Sequence, residues 1–354
     1  MSLINFEIFL KQKNIAYKKD HFLKYESYFK TGGKAQFFIL PHLISNFTDL
    51  ISYLNDLAMD YKVLGFTSNV YLLDELEYSI IISTKNLNDI EIKEQEMHLS
   101  TGYSVEAFSR LMLLESSSGY EGLEGIPASI GGAVVMNASA YNCAISDHLL
   151  SVSYINQNNE IKTLSKESCH FGHRNSLFKQ DTSLIILSAS FQINKGKSQD
   201  IAQKMQKYHS ARHSYQEFAY PNLGTMFAVK GDFYREFVKS NRFYYLSCYA
   251  LKILYKNPLM KFIQRKNPQN TLFNALLERY IRPQSFCHPY SQKSMNILIN
   301  NGSSSLEERL NYLKIIKTNL ATHTKLENEL LLSPLVPHAK NQEIRKQIQV
   351  KGLL

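Results

Sequence analysis

Hydrophobic positions along the chain fall into alternating strand-like and helix-like runs. Ala35 to Leu40 is a short apolar strand, and Ile44 to Asp60 then places Phe47, Leu50, Ile51, Leu54 and Leu57 at helical spacing. Tyr61 to Gly65 reads as a second, buried strand. Ile80 to Ser83 and Met97 to Thr101 are further strands, and Val105 to Glu115 has the period of a helix. SVSYINQNNEIKTLS alternates on either side of Asn158 and Asn159, which predicts a hairpin. Ser183 to Asn194 is a strand with Ala189, Phe191 and Ile193 on one face, followed by a helix over Ser198 to Ser210. Near the end, Ser304 and Glu307 have capping-box spacing for a helix lined by Leu306, Leu310, Leu313 and Leu320. The succession predicts an α+β protein.

Composition narrows this picture. A chain of 354 residues is long enough for two or three domains, each burying its own core. A hydrophobic content of 44% with 20% charged residues describes an ordinary globular chain. Cys143, Cys169, Cys248 and Cys287 lie far apart with neither CxxC nor Cys/His ligand spacing, so no disulfide framework and no metal site is expected. The N-terminal MSLINFEIFLKQKNIAYKKD has no signal-peptide core, and no window approaches the roughly 20 apolar residues of a bilayer span. A soluble, cytoplasmic protein is expected.

Charge is unevenly placed. The net charge is +9, and Lys230 to Arg282 holds eleven Lys and Arg against three acids, 11 − 3 = +8. No helix-turn-helix, zinc-finger or RNP signature converts this excess into nucleic-acid recognition. Within it, Phe243 to Lys266 is rich in aromatics and lysine, with Lys252 and Lys256 on one helical face before Pro258 ends the helix. A packed lid with a solvated basic face, able to attract an anionic nucleotide-sugar, is the preferred reading. A helix lying on an anionic membrane surface is the alternative.

Two stretches carry candidate chemistry. Gly119 to Asp147 contains GIPxxIGGAVxMNAxAY, with Gly125, Pro127, Gly131 and Gly132 among small and apolar neighbours. Glycines so close together, without charges, suit a backbone that turns sharply or lies against something flat and large. GFTSN, Gly65 to Asn69, sits at a strand-to-loop junction where backbone amides and the Thr67 and Ser68 hydroxyls could meet phosphate oxygens. No GxGxxG fingerprint is present.

The glycine segment resembles that of the UDP-N-acetylenolpyruvoylglucosamine reductases, also called UDP-N-acetylmuramate dehydrogenases, where its form is close to GIPGTVGGAVxMNAGAY. The resemblance extends over roughly Tyr28 to Leu332: YFKTGGxA is similar to the family's TFxIGGxA, and GFTSN to its GGGSN, with Phe66 and Thr67 in place of two glycines. It implies FAD and NADPH as cofactors. Gly65, Thr67, Ser68, Asn69, Gly125, Ile126, Pro127, Ser129, Gly131, Gly132, Asn137, Ala138 and Tyr141 would border the flavin. It also implies a two-part FAD-binding fold of the vanillyl-alcohol oxidase/p-cresol methylhydroxylase type, residues 1–78 and 79–215, followed by an α/β substrate-binding domain, 216–354, enlarged around 230–285.

The same resemblance assigns chemistry. FGHRNSLF stands where the family has FGYRxSxF, so Arg174 would hold the carboxylate of an enolpyruvyl group and stabilise charge beside the reacting alkene. PNLGTMF resembles PSAGSVF, which makes Thr225 the proton donor in place of serine. LENELLL matches LExExxxxG and makes Glu329 the catalytic acid, while YSQKSMNIL lies on the closing VSxxHAxF motif with Ser294 for its histidine. The implied reaction is NADPH-driven reduction of UDP-N-acetylglucosamine enolpyruvate to UDP-N-acetylmuramate in peptidoglycan precursor synthesis, by a monomer without nucleic-acid partners. Two other readings remain open: a flavin reductase for another enolpyruvyl or nucleotide-sugar compound, and a catalytically silent relative that binds a nucleotide-sugar or a membrane.

Overall fold

A computed structural model describes all residues except 1–2, 230, 259–268, 282–288, 321–323 and 354. Cys287, Arg282 and the Lys261 to Lys266 part of the aromatic stretch therefore lie outside the described residues.

The first unit opens with helix α1 (Leu3–Gln12) and strands β1 (Ala16–Phe22) and β2 (Lys34–Leu40), then helix α2 (Ile44–Asp56), β3 (Tyr61–Leu64), β4 (Val70–Tyr71) and β5 (Tyr78–Ser83). Its sheet runs β1-β2-β5-β3, with β5 parallel to both β2 and β3. Because successive side chains alternate, Phe37, Ile39, Ile80 and Ile82 face α1 and α2, where Phe6, Leu10, Phe47, Leu50, Ile51 and Leu54 complete a core. Phe38, Tyr78 and Ile81 point the other way, into a second core that they share with the C-terminal part of the chain. The parallel part of this mixed sheet, β2-β5-β3, is covered on both faces, which explains the continuous apolar runs of its strands.

Ile80 to Ser83 thus belongs to the first sheet, and a boundary at 78/79 would cut through its central strand. Helix α2 stops at Asp56, short of the expected Asp60, because Ala58 takes a left-handed φ of 48°.

The second unit is an antiparallel sheet, β11-β10-β12-β7-β6, from β6 (Ile90–Lys93), β7 (Glu96–Ser100), β10 (Leu149–Ile155), β11 (Ile161–Ser165) and β12 (Ile185–Gln192). Between β7 and β10 come α3 (Val105–Leu114), α4 (Ile130–Met136) and the short pair β8 (Ser139–Ala140) and β9 (Cys143–Ala144). Phe108, Met112, Val134, Val152 and Phe191 close its core. The short helix α5 (Leu177–Gln180) follows β11, and α6 (Ser198–Tyr215) leaves the unit. Five residues longer than expected, α6 carries Arg212 to the unit's edge.

The remainder holds β13 (Asn222–Thr225), helices α7 (Phe233–Phe237), α8 (Arg242–Lys256) and α9 (Gln269–Ile281), β14 (Tyr290–Ser291), β15 (Ser294–Ile299), α10 (Leu306–Asn319), β16 (Glu329–Leu330) and α11 (Ala339–Val350). β15 lies between β13 and β14. The capping box of α10 is Ser305 with Glu308, one residue beyond the expected pair. Asn301 explains the shift: its Oδ1 accepts from the Ser304 amide at 2.9 Å and hydroxyl at 2.8 Å, leaving Ser305 to receive the Glu308 amide. Lys252 and Lys256 also part company, since Lys252 pairs with Asp232 at 3.0 Å while Lys256 stays exposed.

Candidate active site

Where the three parts meet, a cleft of 1160 Å³ is lined by the GFTSN loop, the glycine segment, the end of α6, β13 and residues around β16. Bare backbone builds its floor. A Cβ on Gly65 would lie 2.1 Å from the Ser129 hydroxyl, and one on Gly131 2.0 Å from that of Thr101, so Gly65 allows close approach of the first unit to the glycine segment and Gly131 close approach of the chain after β7. Ser129 caps α4 by accepting from the Gly132 amide at 3.3 Å, and Gly132 itself is exposed on the cleft. Ile126, Pro127 and Ala138 line the same wall.

The loop side chains are committed differently from expectation. Thr67 has φ 60°, and its hydroxyl accepts from the Tyr28 amide at 2.8 Å and donates to the Phe66 carbonyl at 2.7 Å. Only its backbone is left to face the cleft, where Ser68 also lies. Asn69 is a fastener: Nδ2 donates to the Glu327 carbonyl at 3.0 Å, Oδ1 accepts from Asn328 Nδ2 at 3.0 Å, and its carbonyl receives the Glu329 amide at 2.9 Å. The loop and β16 are thereby one piece, with β4 and β16 parallel.

Asn137 is the cofactor-binding candidate that does not line the cleft. It ends α4 with φ 43°, and its Nδ2 donates to the Gly172 carbonyl at 3.0 Å, so it props the turn that presents Arg174. Arg174 itself has φ 52° within a turn closed by reciprocal Gly172 and Asn175 backbone bonds.

Arg174, Thr225 and Glu329 all reach the cleft. Arg174 Nε lies 3.9 Å from Glu327 Oε2, and Lys179 Nζ lies 3.8 Å from Glu329 Oε1 while donating to the Arg174 carbonyl at 3.0 Å. Two cations therefore oppose two carboxylates, all partly open to solvent. Thr225 is exposed at the end of β13, paired with Ile297, after Gly224 turns the strand at φ 72°.

Lys179, Glu327 and Arg212 are the residues that sequence reasoning missed. Glu327 stood inside the LENE motif and Lys179 five residues after Arg174, so both lay beside recognised signals. Arg212 had no such neighbour. It is 5% exposed, packs under Gly125, places its guanidinium 5.4 Å from the centre of the Tyr141 ring and donates to the Gly122 carbonyl at 3.3 Å, while its buried Nε has no partner among the described residues. Tyr141 stacks on Tyr208 at 4.5 Å and bonds to the Tyr215 hydroxyl at 3.0 Å. Burial, and then the bond to Tyr215, push the Tyr141 phenol up to about 12, so it is neutral near pH 7.

Comparison with known proteins gives the family and the fold. Residues 35–165 match the FAD binding domain family. UDP-N-acetylenolpyruvoylglucosamine reductase of Petrotoga mobilis is 32% identical over 227 residues, 61% of this chain and 73% of the relative. That of Fervidobacterium nodosum is 31% identical over 207 residues, 58% and 67% of the two chains. The chain belongs to the UDP-N-acetylenolpyruvoylglucosamine reductase family. It spans about two thirds to three quarters of the length of these reductases. The crystal structure of the reductase from Thermus caldophilus, 20% identical, superposes with a TM-score of 0.63 over 89% of this chain and 98% of that one, which gives the two the same fold.

The residues present fit the flavin that such a domain binds. Gly132 offers an open backbone face, the wall beside it is apolar, and the orphaned Nε of Arg212 supplies buried positive charge next to Gly125. Among the described residues no helix is long and apolar enough to cross a membrane.

Proposed function

We propose that the protein reduces UDP-N-acetylglucosamine enolpyruvate to UDP-N-acetylmuramate with NADPH as electron source. When bound, FAD supplies the two-electron relay from nicotinamide to alkene. The residues of this chain do the remaining work. Gly65, Ser68, Asn69 and the segment from Gly125 to Tyr141 hold the cofactor, with Asn137 acting through the Gly172 turn. Arg174 takes the substrate carboxylate as a bidentate partner and stabilises the negative charge that spreads from the alkene into that carboxylate. Glu329 and Lys179 orient the resulting enolate, and the Thr225 hydroxyl gives the proton that completes the second carbon.

The observation that carries this reading is the meeting of Arg174, Thr225 and Glu329 in one cleft with the glycine segment, although they come from three separate stretches of sequence. Thr225 is exposed, and among the described residues no hydrogen bond engages its hydroxyl, as a proton donor that must be recharged from water requires.

An anaerobic stopped-flow experiment separates the two half-reactions. In Arg174→Met, flavin reduction by NADPH stays within about twofold of the parent, whereas reoxidation by UDP-N-acetylglucosamine enolpyruvate slows by at least about 100-fold, the scale for removing one preorganised charge donor. Equal losses in both steps would overturn the assignment of Arg174. Reduction of the parent without any reoxidation would point to a different acceptor.

A further inference from the structure

Helix α8 packs one face inward, and among the described residues its other face is exposed. Inward lie Cys248, fully buried, and Tyr244, Tyr245 and Leu251, packed on the core shared with the first unit. Outward lie Phe243, Leu246, Tyr249 and Ile253, which are 70%, 54%, 50% and 54% exposed. Scattered exposed apolar residues need no explanation, but four on successive turns of one helix form a continuous stripe. At 100° per residue these four span about 120° of the helix circumference. Exposed Arg242 and Lys256 stand on the same face at its two ends, and Arg235 adds its guanidinium 5.7 Å from the Tyr249 ring.

We propose that this face is a docking surface for an anionic phospholipid bilayer, on which α8 lies flat with its four apolar side chains below the headgroups. The helix has 15 residues, too few to cross a bilayer, and it carries Lys252 mid-length, so it cannot insert end-on. Its geometry suits the interface plane: an apolar stripe with cations at headgroup level. Charge selects the lipid. The stretch from Lys230 to Arg282 carries +8 of the net +9, leaving 9 − 8 = +1 for the rest of the chain. A second copy of this chain would set the Arg235, Arg242 and Lys256 cations of one face against those of the other. Anionic headgroups satisfy both halves of the pattern. Lys252 is the lysine that does not take part, being held inward by Asp232.

The proposal is independent of the reaction assigned to the cleft, since none of these residues lines it. Flotation of the FAD-supplied full chain with vesicles tests it. Vesicles of phosphatidylcholine with phosphatidylglycerol carry the protein at low ionic strength at least about tenfold better than phosphatidylcholine alone, as roughly fivefold per exposed cation implies. Raising the salt to about 0.5 M removes most of the binding. Leu246→Glu with Ile253→Glu abolishes flotation while flavin content and visible spectrum stay unchanged, which shows that the fold is intact. Arg242→Glu with Lys256→Glu removes the preference for the anionic vesicles. Equal recovery with both vesicle types, no recovery with either, or unaltered recovery of the Leu246/Ile253 variant would overturn the proposal. A concentration-dependent dimer abolished by that variant would assign the face to a second copy and equally overturn it.

Discussion

Gly65 gives the sharpest test of how the cleft floor is built. Replacing it by alanine places a methyl 2.1 Å from the Ser129 hydroxyl, where no real Cβ resides, and 3.2 Å from the Ser129 Cβ. The hydroxyl must swing away, and with it goes the cap on the Gly132 amide. Overpacking costs about 1–3 kcal/mol and a lost serine cap about 1 kcal/mol, so Gly65→Ala destabilises by about 2–4 kcal/mol. Ser129→Ala alone loses only the cap, about 1 kcal/mol. In that background the obstructing oxygen is gone, and the new methyl meets only the Cβ at 3.2 Å, a few tenths of an ångström short of comfort. The double variant therefore costs less than the sum of the singles, with a coupling of about 1.5 kcal/mol. Thermal unfolding of the flavin-free chain measures this, at about 2–4 °C per kcal/mol for a folding unit of roughly 200 residues. Flavin titration of the four proteins should follow the same order. Strict additivity of the two substitutions would refute the contact between loop and glycine segment.

Arg212→Met weakens FAD retention about tenfold and lowers the flavin midpoint potential, because a buried unpaired cation favours electron-rich flavin; Arg212→Lys recovers part of the potential, and an unchanged potential would leave Arg212 a packing residue. Glu327→Gln removes a competitor for Arg174 at 3.9 Å, worth about 1 kcal/mol in a water-like medium, so KM for the enolpyruvyl substrate falls about fivefold with little change in kcat; a rise in KM would contradict the competition. Burial pushes the Cys143 thiol up to about 12 and those of Cys169 and Cys248 up to about 11. These raised values favour the folded state fully below the unfolded thiol pKa and lose that contribution as pH rises towards 11. In a Cys287→Ser background, thiol-reactive dye should therefore label the native protein at pH 8 at least about 100-fold more slowly than the denatured chain. Rapid native labelling would show that these thiols are accessible.

What could be read in advance was local. Alternation and helical spacing within 10–20 residues identified β2, α2, β3, the β10–β11 hairpin and α3, since each records which side chains face a core. The glycine segment was legible because sterics leave no substitute at Gly65 or Gly131. Long-range partners were not legible. Nothing near Asn137 says that its amide turns to Gly172, and nothing near Thr67 says that its hydroxyl is spoken for by Tyr28. Arg212 gains its meaning from Gly125 and Tyr141, which a helical wheel of α6 does not show. The one-residue shift of the α10 cap turned on Asn301 competing for Ser304, a contest between two equally good local hydrogen-bonding patterns.

The clasp between Asn69 and the β16 strand joins residues 258 positions apart. A ribosome adding about 5–20 residues per second needs roughly 13–50 s to travel that distance. Throughout that interval the GFTSN loop is finished while its amide partners and the Glu329 strand do not yet exist. The Tyr78 hydroxyl likewise waits for the Leu331 carbonyl, 253 residues later. Assembly of the cleft therefore waits until Glu329 and Leu331 have been made. A nascent or prematurely terminated product that stops before Leu326 carries the glycine segment without Glu329, and its β4 lacks the strand that pairs with it. One missing strand thus removes both the carboxylate from the cleft and the backbone partner of β4.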